Sequence, residues 1–104
     1  MAPPYNPPVK NEEFKLKVGL RDVSNTYRLR ANPAIVAGDF TVDKDGAGFV
    51  NLATLPTVSP AGGKAVLIEL SATEMNADVV TILCSDQTDP PEWADFMISI
   101  PTTS

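Results

Sequence analysis

The sequence predicts an all-β fold: about seven short antiparallel strands packed as a sandwich, with one helical turn and an extended N-terminal arm. Three observations predict it. Apolar residues recur at every second position in at least five segments, the period of a half-buried strand. Proline, glycine and aspartate punctuate these segments every 8–12 residues, the spacing of sandwich turns. No stretch repeats apolar residues at the helical period over three or more turns.

The arm comes first. Residues 1–13 contain Pro3, Pro4, Pro7 and Pro8. Proline fixes φ and has no N–H, so such a stretch builds no regular ladder. Extended at about 3.1 Å per residue, the arm reaches roughly 40 Å. Residues 14–104 then form the domain. In Phe14–Leu20 the even positions are apolar and the odd ones are Lys15, Lys17 and Gly19, a half-buried strand. Tyr27–Ala31 alternates likewise before Asn32-Pro33 stops it. Phe40–Asp43 and Gly48–Leu52 flank Lys44-Asp45-Gly46-Ala47, a hairpin signal, because glycine accepts the positive φ of the turn. Pro56, Pro60 and Gly62-Gly63 mark a loop. Lys64–Leu70 and Val79–Ser85 follow as strands, the second apolar on both faces at its start and so central. Asp89-Pro90-Pro91 is a loop, and Trp93–Ile100 closes the domain before Pro101.

Ser71-Ala72-Thr73-Glu74 breaks the pattern with a capping box, in which serine and glutamate satisfy each other's orphan amides. Too few residues remain before Val79 for more than one helical turn. That turn fits a crossing between two sheets. The whole is an immunoglobulin-like sandwich by strand count and spacing.

Composition narrows the function. At 104 residues the chain is a single domain. Its net charge of −5 argues against a nucleic-acid partner. No apolar run approaches the roughly 20 residues of a membrane helix. The N-terminus lacks the basic-then-apolar pattern of a secretory signal. Charge is uneven: residues 1–52 hold seven Lys/Arg against six Asp/Glu, or +1, and residues 53–104 hold Lys64 against seven acids, or −6. Complementary surfaces of this kind help copies meet neighbours. Cys84, the one cysteine, stands in an apolar run as a buried free thiol.

The chain has no histidine, which removes the commonest general base, zinc ligand and partner for a serine or cysteine nucleophile. No enzyme activity, cofactor or metal is expected. Asp43-x-Asp45-Gly46 has the opening of a calcium loop, but Thr54 stands where its closing glutamate belongs, so Asp43 reads as a turn residue. Asp86, Asp89, Glu92 and Asp95 read as a solvated acidic rim. The candidate functional residues are those of a partner interface: Pro3, Pro4, Tyr5, Pro7, Pro8 and Val9 in the arm, and Trp93. Tyr5 has no local core to join, and the arm's free N–H groups at Asn6, Val9 and Lys10 suit addition to a neighbour's sheet edge. Trp93 reads as core or sheet-edge packing, with an interface anchor as the alternative.

Several stretches resemble a small family of virion structural proteins of tailed bacteriophages. They are Asn32-Pro33-Ala34-Ile35-Val36-Ala37-Gly38-Asp39-Phe40, Val42-Asp43-Lys44-Asp45-Gly46-Ala47-Gly48-Phe49, the run from Asn51 to Lys64, Leu70-Ser71-Ala72-Thr73-Glu74-Met75-Asn76-Ala77-Asp78, and Glu92-Trp93-x-Asp95. The likeness runs from about Lys10 to Ile100. A Ser-Asp-Ala-Ala-Gly-type turn and a cysteine after the tryptophan are usual in that family. Here the turn is Ser85–Pro91 and Ala94 follows Trp93. The resemblance implies a structural virion component, a head decoration protein or a tail or neck accessory. Its partners would be other virion proteins and copies of itself, and its place would be the virion, assembled in the bacterial cytoplasm. A carbohydrate- or receptor-binding module is the rival from another class. Such a module wants exposed aromatic residues in its loops, which here offer proline, glycine, aspartate and threonine.

The pattern makes two expectations concrete. No helix exceeds about ten residues. Leu16, Val18, Leu29, Phe40, Val42, Val50, Val66, Ile68, Ile82, Phe96 and Ile98 form the core.

Overall fold

A computed structural model describes residues 8–25, 27–88 and 91–103. Seven strands are present: β1 (Phe14–Gly19), β2 (Phe40–Lys44), β3 (Val50–Asn51), β4 (Thr57–Val58), β5 (Ala65–Leu70), β6 (Val79–Cys84) and β7 (Phe96–Pro101). They form two antiparallel sheets, β1-β5-β4 and β3-β2-β6-β7. This is the B-E-D and C′-C-F-G order of an immunoglobulin-type sandwich. Among the described residues, no strand lies beside β1 where strand A of such a sandwich belongs.

Strand alternation sets the core. Val66, Ile68 and Leu70 of β5 face Val42, Val80, Ile82 and Cys84 of the other sheet, and all are buried. Phe40 and Trp93 pack with ring centroids 6.3 Å apart, within the range of tilted aromatic pairs. The Lys44–Ala47 turn is as expected: Asp45 and Gly46 have φ of 54° and 83°, the two positive values of a type I′ hairpin. The Ala47 amide donates to the Lys44 carbonyl at 3.0 Å.

The capping box also forms. The Glu74 amide donates to Ser71 Oγ at 3.2 Å, and the Ser71 amide to Glu74 Oε1 at 2.9 Å. The Met75 amide closes the turn on the Ser71 carbonyl at 3.0 Å. The turn carries the chain from β5 in one sheet to β6 in the other.

Five expectations need correction. Tyr27–Ala31 is not a strand. Leu29 bridges Arg21, and Tyr27 is 97% exposed. Asp22 accepts the amide and hydroxyl of Ser24, which turns the chain before a ladder can extend. Leu29 is exposed, because it lies over Gly19 at the position a Cβ would fill, 2.5 Å from Cδ1. Val50 is 62% exposed, since β3 is a two-residue edge strand. The Pro56–Gly63 loop contains β4, which pairs with Val66 and Leu67. The last strand begins at Phe96, and Trp93 is held separately, bridging Asp22.

Leu16, Val18, Phe96 and Ile98 face the core but remain half-buried. Leu20, Met75, Ala77, Ile100 and Trp93 take up the burial in their place.

Truncating Ile82 or Ile68 to alanine should cost about 2–5 kcal/mol, because both are fully buried between the sheets. A denaturant titration reads this directly. Ser71→Ala should cost about 1 kcal/mol through the lost cap.

Candidate functional site

The sequence placed the partner-binding site in the arm and at Trp93. Pro3, Pro4, Tyr5, Pro7 and Asn6 lie outside the described residues. Pro8 and Val9 are half-buried against the chain's own domain. Val9 forms a parallel bridge with Thr103. The Lys10 amide donates to the Thr103 carbonyl at 2.7 Å, and the Thr103 amide to the Pro8 carbonyl at 2.9 Å. The Asn11 amide reaches the Met75 carbonyl at 3.0 Å, and Lys10 Nζ lies 3.1 Å from Asp78 Oδ1. The base of the arm is therefore fastened to its own domain by a single β-bridge. This corrects the expectation that the Lys10 amide is free, and it places Pro8 and Val9, expected against another chain, partly against their own domain.

On the arm side of this bridge Pro8 and Pro101 have no amide to donate.

Trp93 is 0% exposed, which rules out its role as an interface anchor in this fold. Its ring fills the space beside Phe40 where the β6–β7 connection crosses Asp22. Its indole N–H has no partner among the described residues.

Of the acidic residues expected in a solvated rim, Asp86 is buried and Glu92 half-buried, and both are structural; Asp95 is exposed, and Asp89 lies outside the described residues. Asp86 accepts the amides of Thr88 at 2.9 Å and Glu92 at 2.6 Å. Desolvation pulls its carboxyl upward, but these amides, the Thr88 hydroxyl and Arg30 outweigh that and hold it below the ordinary range. Glu92 pairs with Arg30 Nη2 at 3.0 Å and accepts the Ala34 amide at 3.2 Å. Asp43 holds the hairpin turn through the Gly46 and Gly48 amides at 3.1 and 2.7 Å. Asp45 is held low by the amides of Val79 and Asp78, and Asp22 by the amide and hydroxyl of Ser24. Cys84 is buried, and desolvation pushes its thiol up to about 12. Such a thiol is inert at neutral pH.

The surface that sequence reasoning missed is the side between β1 and β7, which no strand closes among the described residues. Both are outer strands of their sheets. Beyond Gly19 and before Phe96 the chain segments are tied by the Asp22–Trp93 bridge and by the Ala94 amide on the Arg21 carbonyl. At the opposite end residues 9–13 run from Thr103 to the start of β1. Between these ties Phe14, Leu16 and Val18 of β1 and Phe96 and Ile98 of β7 stay half-buried. Their counterparts on β5 are buried. The signal was in the sequence: two apolar-alternating strands, one carrying lysines outward, and no alternating strand ahead of β1.

Comparison of the chain with family models, with curated proteins and with solved structures found no match.

Two outcomes follow from this geometry. Removing residues 1–7 should leave the melting temperature nearly unchanged. Removing residues 1–11 should cost about 1–3 kcal/mol, because three backbone hydrogen bonds to Thr103 and Met75 go with it. The depressed Asp22, Asp45 and Asp86 stabilise the fold above the unfolded carboxylate pKa of about 3.9. That stabilisation should be lost as pH falls through their lower folded values. Asp45→Asn should flatten the dependence of melting temperature on pH below about 4.

Proposed function

We propose that the chain is a structural component of a tailed-phage virion, a capsid decoration module fixed to its neighbours through residues 1–7. The likeness of its sequence to virion sandwich proteins motivates the reading, and the immunoglobulin-type strand order agrees with it. The observation that carries it is the fastening of the arm. Backbone hydrogen bonds to Thr103 and Met75 clamp residues 8–11 onto the domain. A load on residues 1–7 would pass directly into two backbone segments of the sandwich.

The mechanism is burial repeated by symmetry. Tyr5 and the proline faces of Pro3, Pro4 and Pro7 offer a contact with little conformational entropy to lose. One such contact is weak, and many copies on a lattice act together. Nothing in this mechanism needs a proton-transfer group, and the chain has no histidine to supply one.

The test compares phage particles assembled with the full chain and with a chain lacking residues 1–7, by quantitative mass spectrometry and particle reconstruction. The full chain should occupy symmetric positions on the particle, and the truncated chain should be lost although it folds. Full occupancy by the truncated chain would make the arm incidental. Absence of the full chain from purified particles would end the reading.

A further inference from the structure

We infer that the open edge of β1 is a docking site for an extended segment of a neighbouring protein, one that alternates acidic and apolar residues. Such docking needs no virion and involves the described domain alone.

Sheet parity fixes what the edge presents. The Ser59 amide donates to the Ala65 carbonyl at 3.0 Å, so odd-numbered residues of β5 point their backbone groups at β4 and even-numbered ones at β1. Val66, Ile68 and Leu70 are the register partners of Val18, Leu16 and Phe14. Those β1 residues therefore spend their amides and carbonyls on β5. Lys15, Lys17 and Gly19 aim theirs outward, at an edge that no strand covers among the described residues. A strand laid there finds a ready row of donors and acceptors.

The same parity dictates the occupant's side chains. Cross-strand neighbours share a face. On the inner face, the added strand would lie beside half-buried Phe14, Leu16 and Val18 and toward Phe96 and Ile98, so its inward residues must be apolar. On the outer face it would lie beside Lys15 and Lys17. Lys15 stands 3.8 Å from Glu69 with both side chains well exposed, and Lys17 has no ion pair among the described residues. Its outward residues must therefore be acidic. Edge lysines repel most strands, and they select one of opposite charge. A second copy's β1 laid with its lysines opposite these would set like charges together, which disfavours that register.

The experiment uses the full chain and two synthetic probes, acetyl-Glu-Val-Glu-Val-Glu-Val-amide and its lysine counterpart acetyl-Lys-Val-Lys-Val-Lys-Val-amide. Amide hydrogen exchange is followed by NMR. The glutamate peptide should slow exchange at Lys15 and Lys17 by at least about tenfold at saturation, with little change elsewhere in β1. Its affinity should fall as salt rises. The double variant Lys15→Glu with Lys17→Glu should reverse the preference between the peptides. Lys17→Pro removes an outward amide and leaves the β5 ladder intact, so it should weaken binding of the glutamate peptide while the rest of the sheet keeps its exchange protection. Equal binding of both peptides, or no slowing with either, would overturn the proposal. So would strong protection of Lys15 and Lys17 in the free chain, since the edge would then already be covered by the chain itself or by a second copy.

Discussion

The structure depends on the crossover from Ser71 to Asp78. This stretch joins β5 of one sheet to β6 of the other, and five other parts of the chain hydrogen-bond to it. Glu74, 8% exposed, accepts the Ser71 amide of its own capping box and the Ala53 amide from the connection between β3 and β4. Met75 accepts the Asn11 amide from the arm's base. Lys44 Nζ donates to the Thr73 carbonyl. The Asp78 amide donates to Asp45 in the hairpin turn. Thr102, after the last strand, donates its amide and hydroxyl to Asp78 and Ala77. A buried carboxylate is tolerable here because both its oxygens are satisfied. Met75 and Ala77 supply the apolar underside that keeps the crossover seated on the core.

Aspartates do similar work in the other connections. Asp39, fully buried, receives the amides of Val36 and Gln87 and so joins the approach to β2 with the exit from β6. Asp86 gathers the β6–β7 loop, Asp43 the hairpin, and Asp22 the turn after β1. Each replaces a water or a strand partner for amides that the short strands leave unpaired. The acidic balance of the chain is partly a consequence of this loop architecture.

The clamped arm and the open side belong to one design. An immunoglobulin-type sandwich ordinarily places a strand beside the position of β1. Here residues 8–13 turn instead to Thr103 beyond the end of β7, and Pro8 and Pro101 have no amide to add to that bridge. Two outer strands are left facing one apolar opening, guarded by lysines along β1. Edges of this kind hold a protein apart from indiscriminate partners while leaving a place for a chosen one.

Much of this was legible in the residues because it rests on short-range rules. Period-2 alternation marked β1, β2, β5, β6 and β7, the Asp45-Gly46 pair marked the hairpin, and Ser71 with Glu74 marked the crossing between sheets. Each signal needs neighbours within a few positions, and the physics that makes it is local sterics and local hydrogen bonding. Trp93 and Leu29 were different. Whether an aromatic or aliphatic side chain on a short segment faces the core depends on what stands across from it. For Trp93 that was Phe40 and the Asp22 bridge, and for Leu29 it was the missing side chain of Gly19. The fate of Pro8 and Val9 turned on Thr103, some ninety positions away in the chain, through a hydrogen-bond parity that no local pattern encodes. By itself the sequence determined the five longer strands, the hairpin and crossover turns and the two-sheet class, but not the two-residue strand β4 or the irregular course of residues 27–31. The tertiary structure alone decided which strand edges close on each other and which stay open, because edge pairing is settled by non-local register.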